Sequence, residues 1–157
     1  MLNYWYFGDN LNGIPTQDEL NEYYNDVRRL ANFLSDLKGD ISIIFEPEFN
    51  KPSIVDNPNA ANQFAQIISN AIDIVKRINP HIKISLSMMD TGIRDSNSES
   101  TECGFDNCSI GDLHEWSKTD TIFKYLEQKL DFISFNETLS QFSRDPSNPG
   151  TMDDPNP

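Results

Sequence analysis

The sequence predicts an α/β fold of successive strand–helix units, a partial (β/α)8 TIM barrel of about four parallel units. Three observations carry this expectation. The hydrophobic period switches repeatedly between that of a strand and that of a helix. The stretches joining successive strands are of helical length, which makes the strands parallel. Each strand also sorts its residues into an apolar face and a small or polar one, as the wall of a barrel requires.

The first strand is read over residues 3–7, aromatic throughout after Asn3 and ended by Gly8-Asp9-Asn10. Thr16 and Glu19 have capping-box spacing and open a helix. Its apolar stripe runs through Leu20, Tyr23, Tyr24, Val27, Leu30, Ala31, Leu34 and Leu37, with Gly39 as its C-cap. The second strand is 41–46. Asn57-Pro58 supplies an N-cap and an N1 proline for the next helix, whose stripe is Phe64, Ile67, Ile68, Ala71, Ile72, Val75 and Ile78. Asn79-Pro80 stops it. A third strand covers 82–89, and a long polar stretch follows from Asp90 to His114. A weaker helix is expected near 117–129 with Ile122, Phe123, Leu126 and Leu130 inward, and a fourth strand at 131–136. Residues 1–142 form the partial barrel; 143–157, rich in Pro, Asn, Asp and Ser, read as coil.

Strand parity favours a barrel over a doubly wound sheet. Ile41, Ile43, Phe45, Pro47 and Phe49 fall on one side of the second strand; Ser42, Ile44, Glu46, Glu48 and Asn50 fall on the other. Ile82, Ile84, Leu86 and Met88 oppose Ser85, Ser87 and Met89, and Ile133 and Phe135 oppose Ser134 and Asn136. A doubly wound sheet, covered on both faces, would be apolar on both. No glycine-rich phosphate turn follows any strand, and no cofactor is expected. A complete barrel has eight strands and about 250 residues, so the chain reads as part of something longer.

Acidic residues number 25 against 12 basic, a formal net charge of −13. That field repels phosphate backbones and anionic lipid, so nucleic acid and membrane are not expected partners, and a neutral carbohydrate fits better. No apolar run reaches the roughly 18 residues of a spanning helix. Cys103 and Cys108 lie close together in the polar stretch, open to a disulfide or to two free thiols. A disulfide would suit an extracellular or periplasmic setting. With only His81 and His114 in addition, no zinc-ligand spacing is present.

In parallel α/β folds the site lies at the C-terminal ends of the strands. Those ends carry Asp9-Asn10, Glu46-Pro47-Glu48-Phe49-Asn50, Asp90-Thr91 and Asn136-Glu137. Glycoside hydrolysis needs one carboxyl to protonate the leaving oxygen and a second to act as nucleophile or base. Glu48 is the candidate acid, its backbone aimed by Pro47, and Glu46 is its companion. Two positions along one strand would set them roughly 6.6 Å apart, but pointing the same way, so Glu46 is expected to titrate with Glu48 and hold it protonated. Asn50, Trp5, Asp90, Trp116, Asn136 and Glu137 are candidate substrate-binding residues, with Tyr6 and Phe49 as further aromatic faces for a sugar or as core.

At Pro47-Glu48-Phe49-Asn50 the sequence resembles the clan A glycoside hydrolases, most of all the mannanase-like family 26 enzymes, whose fourth strand ends in His-Glu-x-Asn. The resemblance implies that Glu48 is the acid/base and Asn50 a positioning residue. Leu130-Asp131-Phe132-Ile133-Ser134-Phe135-Asn136 is similar to strand six of that clan. On this register the chain spans strands three to six, and the nucleophile of strand seven lies beyond Pro157. Pro47 stands where the family has histidine, and Glu46 is no part of its signature. Two other readings stay open: a metal-dependent barrel enzyme gathering Asp9, Asp90 and Glu46 or Glu48 around a hard cation, and a non-catalytic carbohydrate-binding relic.

Overall fold

The computed structural model describes residues 1–8, 11–89 and 116–136. Its elements run β1 (Leu2–Tyr4), α1 (Gln17–Ser35), β2 (Ser42–Phe45), α2 (Pro52–Val55), α3 (Pro58–Ile78), β3 (Lys83–Met89), α4 (Asp120–Leu126) and β4 (Ser134–Asn136). The four strands form one parallel sheet in the order β1-β2-β3-β4. Tyr4 pairs with Phe45, Phe45 with Leu86, and Met89 with Asn136. Spatial order follows chain order, without the reversal at which a doubly wound sheet changes direction.

Local chemistry fixes the two long helices. Thr16 Oγ1 accepts the N–H of Glu19 while the Glu19 carboxylate accepts the N–H of Thr16, a complete capping box. Asn57 caps α3 by accepting the N–H groups of Asn59 and Ala60, with Pro58 at the first helical position. The buried stripe of α1 is Tyr23, Val27, Ala31 and Leu34; that of α3 includes Phe64, Ile68, Ala71, Ile72 and Val75. These stripes, with Ile122 and Leu126 of α4, share one core with Ile43, Phe45, Ile84, Leu86 and Met88 of the sheet. The helices therefore cover one face of the sheet. The opposite face carries Ser42, Ile44, Ser85, Ser87 and Ser134, with Ser85 Oγ and Ser134 Oγ 3.0 Å apart.

Several expectations are corrected. The strands are shorter than read: β1 ends at Tyr4 because Tyr6 and Phe7 turn their amides away from the ladder, and β4 is regular only from Ser134. Asp131 still docks that segment, its N–H donating to Ile84 O at 2.8 Å and its carboxylate accepting the Ile84 N–H at 2.7 Å. Helix α1 ends at Ser35 with Asp36, still in the right-handed α region, as its C-cap, so Gly39 (φ 115°) belongs to the connection and not to the cap. Ile133 and Phe135, expected under the helices, are 56% and 59% exposed, since β4 is an edge strand and the neighbouring α4 is short. The short helix α2 is an addition. The coil expected at 143–157 and the pairing of Cys103 with Cys108 lie outside the described residues. Among the described residues no helix is long and apolar enough to cross a membrane.

Candidate functional site

Strand β2 ends at Phe45, and the chain turns at once. Glu46 has φ 38° and Glu48 φ 69°, left-handed conformations that crowd a side chain and cost on the order of 1–3 kcal/mol each. Glu46 is doubly constrained, because the residue before a proline prefers an extended backbone. The alternation of faces therefore stops at Phe45, and the shared parity expected for Glu46, Glu48 and Asn50 is not realised. Proline and two strained glutamates in succession replace strand by turn.

Contacts on both sides offset this strain. The Glu46 N–H donates to Tyr4 O at 2.9 Å. Its carboxyl, in a residue only 1% exposed, accepts the N–H of Tyr6 on Oε1 at 3.1 Å and the N–H of Phe7 on Oε2 at 3.2 Å. These bonds satisfy two amides that have left the sheet ladder. On the other side of the turn Phe49 is buried, stacked on Phe64 with centroids 5.5 Å apart and planes 11° apart, and edge-on to Phe123. Phe49 is thus core and not a sugar platform. Between these anchors Glu48 is half-buried, as is Asn50.

Burial pushes the Glu46 carboxyl up to about 7, against the pull of the Tyr6 and Phe7 amides. The cause is desolvation, which disfavours the charged form of a carboxyl taken out of water. Of the two glutamates, Glu46 has both oxygens engaged in holding backbone, and Glu48 is the more accessible.

Trp5 follows β1 and is 43% exposed; Trp116 is 38% exposed, its ring 5.9 Å from that of Phe135. Tyr6 packs against Tyr4, Phe7 and the fully buried Tyr23. Since the strands are parallel, Trp5, Glu46, Glu48 and Asn136 all lie at the C-terminal edge of the sheet, with Trp116 beside the end of β4. Asp9, Asp90 and Glu137 lie outside the described residues, so the convergence of Asp9 and Asp90 with the glutamates falls there too. Among the described residues no three His, Cys, Asp or Glu side chains gather as a cation site.

Sequence reasoning missed the residues that join the first two loops. Lys51 Nζ donates to Gly8 O at 3.1 Å and Ser53 Oγ to Leu11 O at 3.2 Å, both from the start of α2. Pro52 at the first position of that helix was the available signal. No family model, curated protein or solved structure matches this chain.

Proposed function

We propose that this chain forms about half of a (β/α)8-barrel glycosidase acting on a polysaccharide or oligosaccharide, with Glu48 as the acid/base. The observation that carries the reading is the position of Glu48. It is a half-buried carboxylate on a strained turn at the C-terminal edge of a parallel sheet, the edge where α/β enzymes place their chemistry. The barrel is supported by strands that follow one another in chain order, by helices that among the described residues cover one face, and by a serine-rich opposite face that suits a narrow interior.

In this reading Glu48 protonates the glycosidic oxygen as its bond to the anomeric carbon breaks and a second carboxylate bonds that carbon, and then takes a proton from the water that displaces the carboxylate. The second carboxylate would come from a strand other than the four described. Asn50, Trp5, Trp116 and Asn136, together with Asp90 and Glu137, hold sugar rings along the edge. Glu46 supports the turn from beneath. An extracellular or periplasmic location would go with a disulfide between Cys103 and Cys108.

The test is release of reducing ends from β-linked oligosaccharides by the protein that contains this chain. Glu48→Gln should lower it by at least about 100-fold, the low end of what a general acid supplies. Unchanged release in the variant contradicts the assignment. Loss of wild-type activity in EDTA moves the site to the metal-dependent reading.

A further inference from the structure

The segment that leaves β1 folds back on α1, and between them lies an open cleft of about 480 Å³, within the roughly 300–1,000 Å³ common for small-molecule sites. Tyr6 and Phe7 form one wall; Pro15, Asn12, Glu19 and Glu22 are among the other lining residues.

The wall is preorganised. The Tyr6 and Phe7 rings meet edge to face at 5.3 Å, and both rest on buried Tyr23 at 5.1 and 4.6 Å. Their amides are held by Glu46, two positions before Glu48, so the wall is joined directly to the turn that carries the candidate acid. A ligand meeting this wall orders little of the protein, which lowers the cost of binding.

The lining selects the ligand. None of the lining residues is basic, and the positive end of α1 is already met by the Glu19 carboxylate, so a phosphate, sulfate or uronate would add a further negative charge beside Glu19 and Glu22. A cation meets the positive end of α1, and Glu19 is already committed to the capping box, accepting from Thr16 N at 2.7 Å and Thr16 Oγ1 at 2.8 Å. What remains is an aromatic wall with two exposed hydrogen-bonding side chains, Asn12 and Glu22. That combination matches a ring with apolar C–H faces and a rim of hydroxyl groups.

We propose that this cleft is a subsite for a neutral pyranose unit of an oligosaccharide, with Tyr6 and Phe7 as its wall and Asn12 and Glu22 as its polar rim. The ligand class rests on the glycosidase reading; the site itself rests on the lining.

The experiment is an amide NMR titration of the protein that contains this chain with neutral β-linked hexasaccharides of glucose, mannose and xylose, and with a hexamer of a uronic acid. At least one neutral hexamer should shift the amides of Asn12, Gly13 and Ile14 saturably, and the uronate should not. The double variant Asn12→Ala/Glu22→Ala, whose side chains are exposed and whose spectrum verifies its fold, should weaken Kd by about tenfold, the loss of one to two hydrogen bonds. Shifts confined to residues 46–50 with Kd unchanged in the variant overturn the subsite while leaving the glycosidase reading standing. Equal binding of the uronate overturns the ligand class. Shifts in the cleft without any effect of Glu48→Gln on hydrolysis keep the subsite and end the catalytic assignment. No shift with any neutral hexamer overturns the subsite, and the glycosidase reading then stands or falls on the Glu48→Gln assay.

Discussion

Glu46 accepts the backbone N–H of Tyr6 at 3.1 Å, joining the end of β2 to the segment after β1 across 40 residues of sequence. Its second oxygen does the same for Phe7. One buried carboxyl thereby holds two strand ends in register at the edge where Glu48 stands, and its energetics depend on pH.

Burial raises the folded-state value of Glu46 from 4.5 to about 7. Between those values the native state holds a proton that the unfolded chain has lost. The stabilisation is fully present below pH 4.5 and is lost as pH rises through 7, in total about 3 kcal/mol. Urea midpoints measured from pH 4.5 to 8 should fall accordingly, and Glu46→Gln should remove this part of the slope. Its absolute stability at pH 5 should still be lower, because the hydroxyl oxygen of the protonated acid keeps a lone pair for the facing backbone N–H and the side-chain NH2 has none to offer. An identical slope in both proteins would contradict the buried clamp.

Phe49 and Trp5 should separate cleanly in stability. Phe49→Ala opens a cavity against Phe64 and Phe123 and should cost about 3–5 kcal/mol. Trp5→Ala, at a half-exposed position, should change stability far less and reduce affinity for oligosaccharide instead. Denaturant unfolding and a sugar titration of both variants distinguish a core ring from a binding ring. Similar unfolding costs for the two would contradict this division.

The turn itself makes a third prediction. Glycine accepts φ 69° without a Cβ penalty, so Glu48→Gly should be less destabilising than Glu48→Ala, which loses the same side-chain interactions but keeps the strained Cβ. The same variant should be catalytically dead. A loss of 2 kcal/mol or more, on the order of a buried side chain's worth, would mean that Glu48 is part of the packing and not of the site.

The sequence made the local signals legible and concealed the distant ones. Thr16 with Glu19, and Asn57 with Pro58, mark helix starts because their hydrogen bonds close within three residues. The strands were found but drawn too long, since alternation of residue types continues past Phe45 while the backbone does not. Glu46 and Glu48 were legible as the candidate site, but the role of Glu46 was not. Its partners are amides of Tyr6 and Phe7, and backbone groups leave no mark in a side-chain pattern. An aromatic at position 49 suits core or sugar platform equally by type; its stacking on Phe64, 15 residues away, is what makes it core.

The measurement that tests the central claim most directly is the leaving-group dependence of Glu48→Gln in the protein that contains this chain. If Glu48 is the acid, the variant should lose turnover of unactivated β-linked oligosaccharides by about 100-fold or more. It should keep the first step on dinitrophenyl glycosides, whose leaving group needs no proton. Near-normal turnover of the natural linkage in Glu48→Gln, with Glu46→Gln inactive but folded, would contradict the account and exchange the roles of the two glutamates.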